Sequence, residues 1–180
     1  MADTMRTLAE LEVLLADQTA GAISPQDLRD ALLATIQPGH AELSVTVPAA
    51  TTLADTVTWV MVGGTWALTL ASGHWAMTQN GRLYYTGLKP RHVEMSAGVS
   101  WTCAGNDKNI QFGIAIDGVV IPSSITERNI ATGANAQALS MHAHGLVSLG
   151  SYISTVVRNI TSGTNITASH ANLIVLDFAS

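Results

Sequence analysis

Val93-Glu94-Met95-Ser96-Ala97-Gly98-Val99-Ser100-Trp101-Thr102-Cys103 alternates without a break. Val93, Met95, Ala97, Val99, Trp101 and Cys103 fall on one side, and Glu94, Ser96, Gly98, Ser100 and Thr102 on the other. Only an extended chain sends every second side chain to the same face, so this stretch is a β-strand with one buried side. The same period runs through Ile110, Phe112, Ile114 and Ile116, and through Leu139, Met141, Ala143, Val147 and Leu149. Asp117-Gly118, which follows the second run, can take the positive φ of a tight hairpin turn.

Working outward, strands are expected at 42–47, 56–62, 65–71, 74–79, 82–87, 91–104, 109–117, 119–122, 125–131, 136–149, 151–159 and 165–178. Asn80-Gly81 joins two of them as a hairpin, and Asn106, Asn135 and Gly163 mark further turns. Regularly spaced strands with no helices between them predict an antiparallel sandwich or barrel.

The first residues differ. Thr7 and Glu10 form a capping box, and Leu8, Leu11, Leu14 and Leu15 then share one helical face. After the break at Ala20-Gly21-Ala22, Ser24-Pro25 opens a second helix whose stripe is Leu28, Ala31, Leu32 and Ile36. Pro38-Gly39 ends it, dividing the chain into a helical segment, 1–39, and a β-domain, 40–180. Two such short helices cannot stand alone, so they pack on the β-domain, on copies of themselves or on another protein.

Charged residues make up 12% of the chain, about half the usual share. Residues 1–36 carry six acids and two bases, a net −4; the rest carries seven acids and six bases, a net −1. A β-domain this neutral is poorly protected by charge and can hide surface in an oligomer. It has no basic stripe for nucleic acid and no apolar run long enough for a membrane helix. The N-terminus lacks the pattern of a secretory signal, so a soluble chain made in the cytoplasm is expected. Cys103, alone in the sequence, reads as a small buried hydrophobe.

The chain also carries a resemblance. Arg82-Leu83-Tyr84-Tyr85-Thr86-Gly87, the strand through Val99-Ser100-Trp101 and Ile110 to Gly118 carry its first part. Val120-Ile121-Pro122-Ser123-Ser124 and the closing strands from Val157 to Leu173 complete it. Together they resemble the trimeric jelly-rolls of tumour-necrosis-factor or complement type found in tailed-phage decoration proteins, head fibres and tail fibres. The likeness spans about residues 74–180, while Leu15 to Asp30 is similar to a helical element at the start of phage structural proteins. It implies an all-β jelly-roll sandwich with a short N-terminal helical segment, assembled as a homotrimer on a virion surface. Its partner would be the major capsid protein or another virion protein. Leu8, Leu11, Leu15, Leu28, Leu32 and Ile36 would anchor it as a capsid decoration (cement) or head-fibre protein. The alternative is a tail-fibre or baseplate module recognising a host-surface glycan. No catalytic residue comes with the resemblance.

Side-chain groupings are weighed on the same terms. His142 and His144 project from one strand face and are the pair that would ligate a metal, though ordinary interface or surface histidines are preferred and no metal or cofactor is expected. Trp59, Trp66, Trp75, Trp101, Tyr84 and Tyr85 serve either as core or as a sugar-stacking platform. Structural packing is preferred for these rings and Trp101 is assigned to the core; Trp75 and Tyr85, flanking Asn80-Gly81, are the better candidates for an exposed patch or trimer contact, as are His142 and His144. The loops at 104–109 and 131–136 carry polar groups but no aromatic ring, which weakens glycan binding. No nucleophile elbow, phosphate loop, zinc-protease helix or carboxylate pair is present, so no enzyme is expected.

Overall fold

The computed structural model describes residues 39–130 and 135–178. They form two antiparallel sheets packed as a jelly-roll sandwich. In chain order the strands are β1 (His40–Val47), β2 (Ala50–Thr51), β3 (Val60–Met61), β4 (Thr65–Ser72), β5 (Trp75–Gln79), β6 (Arg82–Tyr85) and β7 (Arg91–Cys103). They continue with β8 (Lys108–Ile116), β9 (Val119–Val120), β10 (Thr126–Ile130), β11 (Gln137–Val147), β12 (Tyr152–Asn159) and β13 (Ile166–Phe178). The six-stranded sheet runs β11-β7-β13-β1-β4, with β2 paired to β13. The seven-stranded sheet runs β10-β8-β12-β6-β5, with β3 on β12 and β9 on β8.

The strand that decided the reading lies inside its sheet, paired with β11 on one side and β13 on the other. Its inward row, Val93 to Cys103, is buried throughout. Across the sandwich it meets Ile110, Phe112 and Ile114 of β8 and Ile153 and Val157 of β12. Trp101 stacks on Phe112 at 4.6 Å between centroids with the rings tilted by 54°, joining the two sheets through large apolar area. Asp117 (φ 52°) and Gly118 (φ 79°) form the expected left-handed hairpin turn between β8 and β9.

Two details depart from simple alternation. A bulge in β13 inserts Ser169 between Ala168, opposite Trp101, and His170, opposite Ser100. It reverses the facing, so Ile166 and Ala168 point inward before it, and Ala171, Leu173 and Val175 after it. Strand β11 stops at Val147, and Leu149 lies exposed in the following turn instead of continuing the buried row. The predicted helices, and with them Leu8, Leu11, Leu15, Leu28, Leu32 and Ile36, lie outside the described residues, as does most of the 131–136 loop. Among the described residues no helix is long and apolar enough to cross a membrane.

Candidate functional site

The outward side of the six-stranded sheet is the most distinctive surface of the domain. Register and alternation lay its side chains out in rows. Leu146, His92 and Phe178 form one row across β11, β7 and β13. Next come His144, Glu94, Leu176, His40 and Ser72, and then His142, Ser96, Ile174, Glu42 and Leu70. Ser140, Gly98, Asn172 and Ser44 follow, and Ala138, Ser100 and His170 close the face.

Three properties stand out. Leu70, Leu146, Leu176 and Phe178 are between 41% and 54% exposed, a high value for large apolar side chains set among small polar ones. No outward residue of this sheet is Lys or Arg, and its acids are Glu42 and Glu94. Five of the chain's six histidines, His40, His92, His142, His144 and His170, face the same way. Towards one end Ser44, Gly98, Ser100, Ala138, His170 and Asn172 rim an open depression of about 360 Å³.

His142 and His144 do share a face, as their spacing predicts, with ring centroids 5.2 Å apart. The structure adds Glu94, which has no partner nearby in sequence but accepts from His142 Nε2 at 3.1 Å and lies directly across from His144. Even so, no group of three His, Cys, Asp or Glu suited to holding a metal ion exists among the described residues. His40 is tied to Ser72, Nδ1 to Oγ at 2.8 Å. His40, His92 and His170 are scattered along the sequence. Only cross-strand register and the β13 bulge gather them, and neither leaves a local signal.

Trp75 and Tyr85 correct the expectation of an exposed patch. They are 5% and 1% exposed, and their rings pack at 5.2 Å in the core. Each is buried because its polar atom finds a partner: Trp75 Nε1 donates to Asp177 at 3.1 Å, and the Tyr85 hydroxyl to the Lys89 carbonyl at 2.7 Å. Burial pushes the Tyr85 phenol up, with Arg91 opposing. Trp66 is also buried, donating to the Val62 carbonyl, and Trp101 is core as expected.

Besides Phe178, aromatic rings reach solvent on the outward side of the seven-stranded sheet. Arg158 stacks 4.6 Å over Trp59 and is held by Gln111, which in turn donates to Glu127. Arg82 stacks 4.6 Å over Tyr152, whose ring meets Tyr84. Cys103 is buried, and burial pushes its thiol up, away from the reactive thiolate.

No protein-family model matches the chain, and no curated protein is similar to it in sequence. Solved structures do share its architecture. Murine APRIL at pH 5.0 superposes with a TM-score of 0.57 at 9% identity, covering 79% of this chain and 100% of that one. The Eiger TNF structure from S. frugiperda gives 0.52 at 8% identity, covering 81% of this chain and 94% of that one. At these identities the likeness shows the fold: a TNF-like β-sandwich.

Proposed function

We propose that this chain is a non-enzymatic structural protein of a tailed-phage virion, a homotrimer that decorates the capsid. The jelly-roll is the trimerising head and residues 1–39 are the anchor. The observation that carries the reading is the outward face of the six-stranded sheet, with its exposed Leu70, Leu146, Leu176 and Phe178 and its lack of Lys and Arg. Five strands about 4.8 Å apart and roughly 10 residues long at about 3.3 Å each span an area on the order of 800 Å². That is about what one partner contributes to a stable interface. The phage assignment itself is supported by the sequence resemblance. Three linked anchors would hold the capsid far more tightly than one, because the second and third bind at high effective concentration. Bridging neighbouring capsomers would then raise the work needed to part them.

A second reading, a tail-fibre or baseplate module that binds a host-surface glycan, is favoured by Trp59 with Arg158 and by Tyr84 and Tyr152 with Arg82. A half-buried ring such as Trp59, with Arg158, Gln111 and Glu127 linked beside it, suits stacking on a sugar with hydrogen bonds to its hydroxyls. Titration of the purified chain onto undecorated capsids and onto host cells separates the two. Decoration predicts saturable capsid binding that disappears when residues 1–37 are deleted. Adsorption to cells without capsid binding selects the second reading.

A further inference from the structure

We infer that the outward face of the six-stranded sheet is a proton-sensitive contact between copies of this chain, closed while its histidines are neutral and opened when they gain protons. The inference rests on the trimer proposed above and adds its regulation.

The charged and titratable groups on the face are few. Strand β11 contributes His142 and His144, β7 contributes His92 and Glu94, β13 contributes His170, and β1 contributes His40 and Glu42; β2 and β4 contribute none. Arg91 is turned to the Tyr85 side, and Asp177 is buried inside the sandwich. Arg128, reaching from β10, donates to the Ala138 carbonyl at the β11 edge and adds a fixed positive charge there.

With neutral histidines the sheet's own outward residues carry two acids and a charge of −2, or −1 with Arg128 at the edge. With all five protonated these become +3 and +4. Three copies around an axis would bring three such faces together. Histidine is the side chain whose charge changes in the physiological pH range. Burying a neutral imidazole beside Leu176, Phe178 or Leu146 costs less than burying an imidazolium. Burying an imidazolium there costs its solvation and adds repulsion between subunits. Glu94 lies 3.1 Å from His142 and across from His144, but one carboxylate compensates only one charge, and its bond is to His142. The switch therefore resides mainly in His92, His144 and His170, which are exposed on the single chain, with His40 beside them.

Sedimentation of the full chain over a concentration series at pH 7.5 and 5.5 tests this. A trimer at pH 7.5 is expected, with the midpoint concentration for assembly rising on the order of tenfold to a hundredfold at pH 5.5. The variant His92→Gln/His144→Gln/His170→Gln should lose most of that rise, whereas His74→Gln, off the face, should keep it. A trimer equally stable at both pH values would overturn the inference and leave the trimer reading standing; a monomer at pH 7.5 would remove both. Should the triple variant fail to fold, the slope of the wild-type assembly constant against pH still decides, because a flat profile means that no protons are released on association.

Discussion

Asp177 occupies the interior of the sandwich with both carboxylate oxygens engaged. Oδ1 accepts from the Gly39 amide at 2.6 Å and Oδ2 from Trp75 Nε1 at 3.1 Å. The first bond ties the start of β1 to the end of β13, and the second crosses from one sheet to the other. A Cβ at Gly39 would collide with the same carboxylate and force it to shift. A buried donor stripped of its acceptor costs about 1–3 kcal/mol, and more when the lost partner is charged. Asp177→Ala strands two, so it should destabilise the fold by about 3 kcal/mol or more, whereas Asp177→Asn, which keeps one acceptor, should cost roughly half. Urea denaturation measures both; an alanine variant within about 0.5 kcal/mol of wild type would show that the latch contributes nothing. None of this was legible in the sequence. Trp75 and Tyr85 flank a hairpin turn and look exposed by position, and the acid that draws Trp75 inward lies 102 residues away.

Among the elements, β8 shows how a sheet edge is finished by something other than a strand. Strand β10 pairs with it as far as Phe112, and β9 from Ala115 onward. Between them the Ile114 amide donates to Ser124 Oγ at 2.8 Å, and the Ile114 carbonyl accepts from Ile121 N–H at 2.9 Å. Ser124 is placed there by the 3-10 turn Pro122–Ser124, and its hydroxyl also donates to the Ile121 carbonyl. Ser124→Ala should therefore cost about 1–3 kcal/mol and speed amide exchange at Ile114 selectively. Unchanged protection at that amide would mean that water replaces the hydroxyl. The long strands were legible because period-two alternation survives wherever one face is buried. The short ones were not. The expected strand at 56–62 reduces to Val60–Met61, because Asp55 accepts from the Val57 and Thr58 amides and turns the chain first. Strand β2, two residues long, gives no periodic signal at all. The bulge at Ser169 was equally hidden, yet it decides that His170 faces outward with the other histidines.

At the scale of the whole molecule, the sandwich has two outward faces of different chemistry. The seven-stranded sheet presents Arg82, Arg158, Glu127 and ring-stacked guanidinium groups, as ordinary solvated surface does. The six-stranded sheet presents histidines, small polar residues and exposed leucines. Alternation revealed that each strand has an outward side, but which outward sides lie together depends on strand order, and strand order is set by contacts far apart in sequence. The asymmetry leads to a paired experiment. Leu176→Arg puts a fixed positive charge at the middle of the histidine face, between Glu94 and His40 in register. Leu176 is 41% exposed on the single chain, so the substitution leaves the core intact and should change stability by less than about 0.5 kcal/mol. In an assembled trimer the same arginine would be buried with Glu94, already bound to His142, as the one acid across from it, at a cost of several kcal/mol. Val119→Arg, 73% exposed on the other sheet, is the matched control. Light scattering at neutral pH should find the Leu176 variant dissociated and the Val119 variant trimeric. Trimers in both would move the subunit contact away from the six-stranded sheet, and dissociation of the Val119 variant alone would place it on the opposite face.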